Sequence, residues 1–368
     1  MTLKSVIFLT RYPRMGASSR LRTYQFVPFL QDLGWETKVS PLFNEKYLNQ
    51  LYQGKRTSYL NIFGCYIRRF LVLFTLSRYK RIIIEKELFP FLPAWAEYIL
   101  YLTGHSYVVD YDDAVFHNYD LHPSHLVRLM LKSKIEKVMR NSHKVVVGNS
   151  YLALRAKRAG ASSVIIIPTV VDGKKYMAET VQNNKSCIRL GWIGSPTTLK
   201  YLDGLLPVLE QLDSRHSMEL VIIGGGKSIG FKGKETLVSW SEESEVKEIQ
   251  QLDIGIMPLT DSPWDKGKCG YKLIQYMACG LPVVGSPVGV NQELIIPGKN
   301  GFLATSEFEW ENHLETLILD RNLRINMGIE GRRKVENHYT IQQILPAYLK
   351  AMDIQIKSKN PFEKKLLL

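Results

Sequence analysis

The stretch KGKCGYKLIQYMACGLPVVGSPVGVNQEL, residues 266–294, predicts a loop, a helix, a sharp stop, a buried strand and a second turn. Lys268 and Lys272 stand where the helix begins. A helix N-terminus carries unpaired N–H groups and about half a positive charge, so lysines there do not favour the helix itself. An anion bound between them would reverse that cost. The alternative is that both lysines are simply solvated.

The size of the chain predicts two domains, because 368 residues are too many for one ordinary hydrophobic core. With 45% hydrophobic and 23% charged residues, both domains can be folded and globular. The four cysteines show no zinc-ligand spacing, and we expect reduced thiols in a cytoplasmic protein.

The N-terminus indicates neither secretion nor a membrane span. MTLKS runs directly into the strand-like VIFLT, without the features of a signal peptide. No stretch reaches about 18 uninterrupted apolar residues. We therefore expect a protein that is soluble or bound to a membrane surface.

The charge balance, 48 basic against 35 acidic residues, indicates an anionic partner. No acid occurs from Lys46 to Ile84, where basic residues alternate with YLNIFGCYI and FLVLFTL. This composition is typical of a basic amphipathic segment on an anionic membrane surface. The alternative is a core-packed helix with a solvated basic side. Nucleic acid is not expected, because no helix-turn-helix, zinc-finger or RNA-binding-sheet signature is found.

Short apolar runs separated by helix-length segments predict a doubly wound parallel sheet in each half of an α/β protein. In the first half the runs are SVIFLT (5–10), RIIIEKELF (81–89), SYVVDYDD (106–113), HKVVVGNS (143–150) and SVIIIPTVVD (163–172). In the second half they are IRLGWIGS (188–195), MELVIIGGG (218–226), DIGIMPL (253–259), LPVVGSP (281–287) and GFLAT (301–305). We predict Rossmann-like domains at 1–172 and 173–340, then a C-terminal helix and basic tail at 341–368, which could pack back on the first domain.

Ligands of such sheets bind at the carboxyl ends of the strands, and the second half carries candidate residues there. Ser195 can cap the helix that follows its strand, and Lys200 stands in the first turn of that helix. Gly224 and Gly225 allow a backbone to approach a ligand closely, although a plain tight turn also needs glycine.

Two further turns in the second half offer contacts to a ligand. Lys272 and Gln275 lie three residues apart on one face of the helix that begins at Gly270. After the next strand, Gly289 can bring N–H groups to a ligand. Asn291 and Glu293 can cap a helix or bond hydroxyl groups.

The first half has a similar helix start and an acidic cluster. Arg20 and Arg22 begin a helix that Ser18 or Ser19 can cap, and together these helix starts favour a phosphate-rich ligand in a cleft between the domains. Asp110, Asp112, Asp113 and His117 follow a strand. Clustered carboxylates can hold a metal, bind sugar hydroxyls or act as a base; the alternative is a polar turn with an Asp cap.

These motifs resemble glycosyltransferase family 4, whose members are retaining, nucleotide-sugar-dependent enzymes of the two-Rossmann GT-B architecture. The resemblance lies in KCGYKLIQYMACGLPVVGSPVGVNQELI, LGWIGSPTTLKYL, DIGIMPL, IIIPTVVD and GRRKVENHYT. It is specific over about residues 188–340. Before that it is looser, where SSRLR and DYDDA are similar to a bacterial subgroup.

The chain departs from the family at three positions. The family carries two glutamates eight residues apart, and Gly267 and Gln275 stand in their places. Ser195 replaces an arginine at the first phosphate position, whereas Lys200 matches the family's lysine. Donor recognition therefore differs from the usual or rests on Asp265, Lys268 or the backbone.

The resemblance implies roles for the candidate residues. Diphosphate contacts in catalysis fall to Lys200, Lys268 and Lys272. Donor-binding residues are Ser195, Gly224, Gly225, Trp240, Gln275, Gly289, Val290, Asn291 and Glu293. Acceptor-side residues are Ser19, Arg20, Arg22, Asp112, Asp113 and His117. Fixed cations and helix N-termini would stabilise the leaving diphosphate in a dry site, with no metal and no cofactor.

The resulting hypothesis is a cytoplasmic glycosyltransferase on the inner face of the membrane. It would move a sugar from a UDP- or GDP-type nucleotide sugar to a lipid-linked glycan acceptor in bacterial surface polysaccharide synthesis. One alternative is a metal-dependent transferase that uses Asp110 and Asp112. The other is a catalytically degenerate binding subunit.

Overall fold

The computed structural model describes residues 4–176 and 187–354, and these residues form two compact units. Of the described residues, the first unit comprises 4–169, Gly267–Cys269 and 344–354. The second unit comprises Val170–Lys266 and Gly270–Gln343. The predicted domain limits stay a prediction. Part of the predicted join (177–186) and most of the basic tail (355–368) lie outside the described residues.

The first unit is built on a parallel sheet whose six described strands run in the order β2-β1-β3-β4-β5-β6. Most of the strands follow the predicted apolar runs, and their inward side chains are buried; Val6, Ile84 and Val109 are fully so. Burying such a side chain contributes about 1.5–3 kcal/mol. The strands are β1 Ser5–Thr10, β2 Glu36–Pro41, β3 Arg81–Glu85, β4 Tyr107–Tyr111, β5 Lys144–Val147 and β6 Val164–Ile166.

Helices connect these strands on both faces. The helix predicted after β1 is broken into α1, a π-helical turn at Arg20–Tyr24, and α2, where Pro28 near the start of α2 cannot continue the preceding hydrogen-bond ladder. The helices are α1 Ala17–Ser19, α2 Val27–Asp32, α3 Glu45–Tyr52, α4 Tyr59–Leu73, α5 Trp95–Leu102, α6 His117–Asp120, α7 His125–Leu131, α8 Lys134–Asn141 and α9 Ser150–Arg158.

The second unit repeats this plan, with six described parallel strands in the order β12-β11-β10-β7-β8-β9. The strand order reverses between β7 and β10, which makes this point the topological switch of the sheet. The strands are β7 Ile188–Ile193, β8 Met218–Ile223, β9 Lys234–Val238, β10 Ile254–Met257, β11 Val283–Gly285 and β12 Gly301–Leu303. The predicted class, α/β with two doubly wound parallel sheets, is confirmed.

The connections of the second unit include a 3₁₀ segment, Pro196–Leu205, where the sequence predicted the first part of an α-helix. The α-helix begins only at Leu206, with Pro207 in its first turn. The α-helices are α10 Gly173–Tyr176, α11 Leu206–Asp213, α12 Glu245–Gln250, α13 Pro263–Lys266, α14 Tyr271–Ala278, α15 Asn291–Leu294, α16 Glu307–Leu319 and α17 Arg321–His338, followed by α18 Ile341–Ala351.

Two further predictions concern the whole chain. All four cysteines are free thiols, as expected. Among the described residues, no helix combines the length and the apolar character that crossing a membrane requires.

Candidate functional site

The carboxyl edge of the second sheet brings together residues of the second unit that the sequence predicted to bind the donor. Gly194 follows β7, Gly224 follows β8 and Trp240 follows β9, while α14 and α15 begin after β10 and β11. Because all strands of this sheet are parallel, their carboxyl ends lie along one edge. The edge is therefore the candidate ligand site of this unit.

Lys272 extends over the end of the central strand β7. It lies in the first turn of α14, which begins after Gly270 in the left-handed region at φ 65°. Its Nζ lies 4.0 Å from the centroid of the buried Trp192 ring. A Cβ placed on Gly194 would come within 2.7 Å of this Nζ, so residue 194 must be glycine for the ammonium group to lie there. The structure thus holds a cation at a helix N-terminus and at the topological switch.

Lys200 and Ser195 lie in the loop after β7 in a different arrangement from the one predicted. The Ser195 side chain caps no helix; its Oγ is 2.8 Å from Thr197 Oγ1. Lys200 is exposed in the 3₁₀ segment, and its Nζ lies 5.6 Å from the Tyr201 ring centroid. The predicted cap is wrong because the segment starts as a 3₁₀ turn. The phosphate role of Lys200 stays a prediction.

Asp265 is occupied by protein donors. Its carboxylate accepts hydrogen bonds from the hydroxyls of Tyr201, Thr260 and Ser262, and the residue is buried. This arrangement stabilises the loop before α14 and leaves Asp265 an unsuitable replacement for the missing donor-binding glutamates.

The predicted glycine turn is needed for internal packing. Gly224 has φ 78° and its N–H donates to Val238 O at 2.9 Å. A Cβ on Gly224 would lie 2.6 Å from Gly194 O and 3.1 Å from Trp240 Cβ, and one on Gly225 would meet Ile222 at 2.5 Å. Contact of this backbone with a ligand stays a prediction.

Gln275 and Trp240 belong to a hydrogen-bonded chain that the sequence did not reveal. Gln275 is buried, and its Nε2 donates to Tyr176 Oη at 2.7 Å. Tyr176 donates to Glu245 Oε1 at 2.5 Å, and Trp240 Nε1 donates to Glu245 Oε2 at 2.8 Å. Tyr176 and Glu245 were missed because they are 69 residues apart in the chain and neither lies in a motif.

The turn after β11 places residues 289–293 at the same edge of the sheet. Gly289, at φ 54°, lies so close to Lys266 that a Cβ would be 2.7 Å from its carbonyl oxygen. Val290, not Asn291, precedes the first residue of α15, so the predicted cap by Asn291 is wrong. Asn291 is buried and its Nδ2 instead donates to Ser286 O at 3.1 Å. Glu293 is exposed.

The segment Gly267–Cys269 lies within the first unit. A Cβ on Gly267 would lie 2.5 Å from Ala114 Cβ and 2.7 Å from Ala114 N, so no other residue fits without movement of the backbone. Asn149 Nδ2 donates to the carbonyl oxygens of Gly267 and Lys268, at 2.9 and 3.0 Å. Position 267, where glycosyltransferase family 4 carries its first glutamate, is therefore closed to any side chain in this protein.

An acidic cluster follows β4 in the first unit, and Lys86 neutralises it. Lys86 Nζ lies 2.9 Å from Asp112 Oδ1, 3.7 Å from Asp113 Oδ2 and 2.8 Å from Ser18 Oγ. Lys86 is buried, and its φ of 64° is a left-handed conformation that is strained for a residue with a side chain. Nothing in the neighbouring sequence marks this lysine beyond its place after β3.

The two aspartates of this cluster differ in pKa. Burial alone would raise the pKa of Asp112, but the Lys86 charge, the Ser18 hydrogen bond and the Arg22 charge together lower it. Burial and the Asp112 charge raise the pKa of Asp113. The charges of Lys86 and Lys268 offset this increase only in part. A pair of carboxyl groups pushed apart in this way suits Asp113 to accept a proton or a hydroxyl hydrogen bond.

The remaining acceptor-side candidates have protein partners. Arg22 and Asp110 form a buried two-point ion pair with contacts of 2.6 and 2.8 Å. Ser19 Oγ donates to Glu85 Oε2 at 2.6 Å instead of capping a helix. Buried Arg20 has an Nη1 contact of 3.5 Å with a carbonyl oxygen, and His117 contacts Asp120 and Tyr151 at 2.7 and 2.8 Å. Their acceptor-side roles stay predictions.

The metal-dependent alternative required Asp110 and Asp112 to act together. Arg22 occupies both oxygens of Asp110, and Lys86 and Ser18 contact Asp112. Across residues 4–176 and 187–354, no three His, Cys, Asp or Glu side chains come together as a set of metal ligands. The charges of Asp110 and Asp112 are thus balanced by Arg22 and Lys86.

Comparison with known proteins relates this geometry to glycosyltransferases. Residues 187–320 match the family model described as "Glycosyl transferases group 1". No curated protein matches the sequence.

Similar solved structures extend over nearly the whole chain. Sucrose-phosphate synthase from Thermosynechococcus elongatus is 14% identical, with a TM-score of 0.68, and covers 96% of this chain and 100% of its own. Anabaena HepE, solved with UDP-glucose, is 15% identical, with a TM-score of 0.65; the match covers 95% of this chain and 100% of HepE. WaaG, a glycosyltransferase involved in lipopolysaccharide biosynthesis, is 13% identical, with a TM-score of 0.66; the match covers 96% of this chain and 100% of WaaG. At these identities the likeness shows the fold alone, and the predicted GT-B fold is confirmed.

Proposed function

We propose that the protein is a retaining glycosyltransferase that transfers a sugar from a UDP- or GDP-type nucleotide sugar. The observation that carries the proposal is Lys272, held by Trp192 over Gly194 at the topological switch of the second sheet. This site lies within the residues that match the glycosyltransferase family model. HepE, a structure with the same fold, binds UDP-glucose.

The chemistry follows from charge. Breaking the bond between the sugar and the diphosphate builds negative charge on the leaving group. The Lys272 ammonium and the N–H groups at the start of α14 stabilise that charge, with Lys200 as a second cation, and no metal is required. We assign no protein nucleophile; in a retaining reaction of this type the acceptor hydroxyl attacks on the face that the diphosphate leaves.

The first unit supplies the acceptor side in this proposal. Asp113, with its raised pKa and Lys86 beside it, is placed to accept the hydrogen bond of an acceptor hydroxyl. A lipid-linked glycan is the proposed acceptor, and surface polysaccharide synthesis the proposed role, as in the lipopolysaccharide enzyme WaaG.

The proposal is tested by thermal unfolding with UDP-, GDP-, ADP- and CMP-sugars, each with and without a chelator. A ligand that binds only the folded chain at 100 times its Kd adds about 2.7 kcal/mol to the free energy of unfolding. We expect one nucleotide to raise the unfolding temperature, with no change on adding chelator. Stabilisation that disappears with chelator would favour the metal-dependent alternative.

The degenerate binding subunit remains a second candidate, because two observations favour it. Gly267 has no room for a glutamate side chain, and the Gln275 amide is held by Tyr176. A subunit of this kind would bind no nucleotide sugar in the unfolding experiment. Stabilisation by a nucleotide sugar followed by its hydrolysis or transfer rejects this candidate.

Membrane attachment is the next part of the proposal, and helix α4 carries it. Leu60, Phe63, Ile67 and Phe74 form an exposed apolar stripe on and just after α4, with 82% of Leu60 and 65% of Phe63 accessible. The arginine at 69 is instead buried, where its Nη2 donates to the carbonyl oxygens of Thr10 and Ser40. The alternative from the sequence, a core-packed helix with a solvated basic side, accounts for the exposed Arg68 but not for the exposed apolar stripe.

Exposed apolar side chains also occur on α5 and α7. Phe70 of α4 contacts Trp95 of α5, with ring centroids 6.2 Å apart. Leu126 and Leu129 of α7 are also exposed, and the only acid in these three helices, Glu97, is buried. With Lys55 and Arg56 exposed just before α4, the surface combines apolar and basic groups, which favours anionic lipid.

Replacing Leu60 and Phe63 together by aspartate should lower binding to anionic vesicles at least about tenfold, since each apolar side chain contributes about 1.5–3 kcal/mol when buried. Flotation with phosphatidylcholine vesicles containing phosphatidylglycerol measures this. The matched control replaces Phe308 and Leu319 by aspartate, two similarly exposed apolar residues of the second unit. Wild-type binding by L60D/F63D would reject membrane attachment through α4.

A further inference from the structure

Four side chains of the second unit form a hydrogen-bonded chain, which we call the Trp240 network: Gln275, Tyr176, Glu245 and Trp240. Glu245 is its centre. It lies in the first turn of α12 with 3% of its surface accessible, and its two carboxylate oxygens accept from different partners, Tyr176 and Trp240. A buried carboxylate with both oxygens satisfied fixes the groups that donate to it.

The network determines the orientation of Trp240. The indole N–H points toward Glu245, and the side chain is half-buried and packs against the core of the second unit. Trp240 Cβ lies beside Gly224, the first residue after β8, so the ring stands at the ligand edge of the sheet. An indole whose polar end is held from inside presents a planar apolar group at that edge, which suits stacking with a nucleobase.

The direction of the hydrogen bonds explains glutamine at position 275. The Gln275 amide donates to Tyr176 Oη, and the Tyr176 hydroxyl then gives its own proton to Glu245. A glutamate at position 275 could only accept. It would compete with Glu245 for the single Tyr176 proton and place a second charge in the same buried region.

We propose that Glu245 is a positioning residue that holds Trp240 as the platform for the nucleobase of the donor, with Gln275 and Tyr176 setting the orientation of Glu245. The proposal rests on the proposed function, because it requires a nucleotide as ligand. It goes further in naming the side chain on which the base stacks and the residue that holds that side chain in place.

The experiment compares Glu245→Ala with the wild-type full chain, using UDP, GDP and inorganic pyrophosphate as probes in calorimetric titrations. For whichever nucleotide binds the wild type, the Kd should rise about tenfold, the order expected for one stacked base. The Kd for pyrophosphate should change less than about twofold, since the phosphate contacts are separate. Glu248→Ala, the same change three residues later in α12, is the control and should bind as the wild type does.

Reversing the hydrogen-bond chain provides a second test that does not depend on removing a buried group. Gln275→Glu alone should weaken nucleotide binding. The double variant E245Q/Q275E should restore it. The amide then introduced at position 245 can donate to Tyr176 and accept from Trp240, while the carboxylate introduced at position 275 accepts from Tyr176.

The outcomes separate this proposal from the proposed function. Loss of nucleotide binding without loss of pyrophosphate binding, with recovery in the double variant, supports the positioning role. Equal losses for both probes, or no recovery in the double variant, overturn it and leave the proposed function intact. If the wild type binds pyrophosphate but no nucleotide, both proposals are overturned.

Discussion

Lys272→Ala should lower sugar transfer at least about 100-fold, the size of effect seen when one group that stabilises transition-state charge is removed. The ammonium group lies at the start of α14 and over the end of β7, where negative charge on a leaving diphosphate would develop. We expect folding to be retained, because alanine is the strongest helix former and a positive charge in the first turn of α14 does not favour the helix.

The measurement is turnover of the nucleotide sugar that stabilises the wild type, with circular dichroism to establish folding. Lys232→Ala is the matched control, since that lysine is exposed in the same unit and its carboxylate contact, to Glu210, is on the surface. Lys272→Arg keeps the charge and should retain part of the activity. Near-normal turnover by the alanine variant would show that Lys272 is a solvated charge, the alternative considered from the sequence.

Arg22→Leu should destabilise the first unit by about 3–5 kcal/mol, because it leaves the buried Asp110 without its partner. Arg22 uses Nε and Nη2 for Asp110 and Nη1 for Ile167 O, the last at 2.7 Å. Burial alone would lower the pKa of Arg22, but the charge and hydrogen bonds of Asp110, with smaller contributions from Cys269 and Asp112, raise it above its ordinary value. The midpoint of urea unfolding of the full chain measures the loss.

The double variant R22L/D110L is the informative comparison. Removing both charges should recover more than half of the stability, because apolar pairs often replace buried ion pairs without loss. Arg56→Leu, at an exposed position, should change the midpoint little. If R22L alone has no effect, the ion pair is not holding π-helical Arg20–Tyr24 against β4. If R22L fails to fold, the double variant still measures the effect of the unpaired charge.

The strands that the sequence predicted all carry apolar runs, and most of these runs are buried. The two that were missed, β2 and β9, are both edge strands of their sheets. Glu36–Pro41 and Lys234–Val238 have exposed or partly exposed side chains throughout, so no apolar run marks them. A strand at an edge needs only one neighbour and one partly covered face, and its sequence carries a correspondingly weak signal.

The candidate site was predictable only where a residue breaks a local rule. Lys272 was found because a lysine is unfavourable at a helix start. Lys86 and Glu245 were missed because their partners, such as Ser18 and Tyr176, are 68 and 69 residues away in the chain. Burial, which gives these charged groups their significance, is a property of the tertiary structure and has no signature in the neighbouring sequence.

The composition of residues 46–84 predicted an amphipathic helix but not which side of it faces the protein. An arginine can be buried when its guanidinium group donates to carbonyl oxygens near the ends of two strands, as Arg69 does to those of Thr10 and Ser40. Its burial turns Leu60 and Phe63 outward. The sequence lacks this information because the two carbonyl oxygens lie 59 and 29 residues away.

The apolar stripe on α4 also has a consequence for colloidal stability. Exposed apolar side chains attract one another between molecules, whereas the net charge of +13 keeps the molecules apart. Salt weakens only the repulsion, whose range falls from about 30 Å at 0.01 M to about 3 Å at 1 M ionic strength. The protein should therefore remain monodisperse in dilute buffer and self-associate as salt is added. Salt would have the opposite effect on an oligomer whose subunits associate through ion pairs.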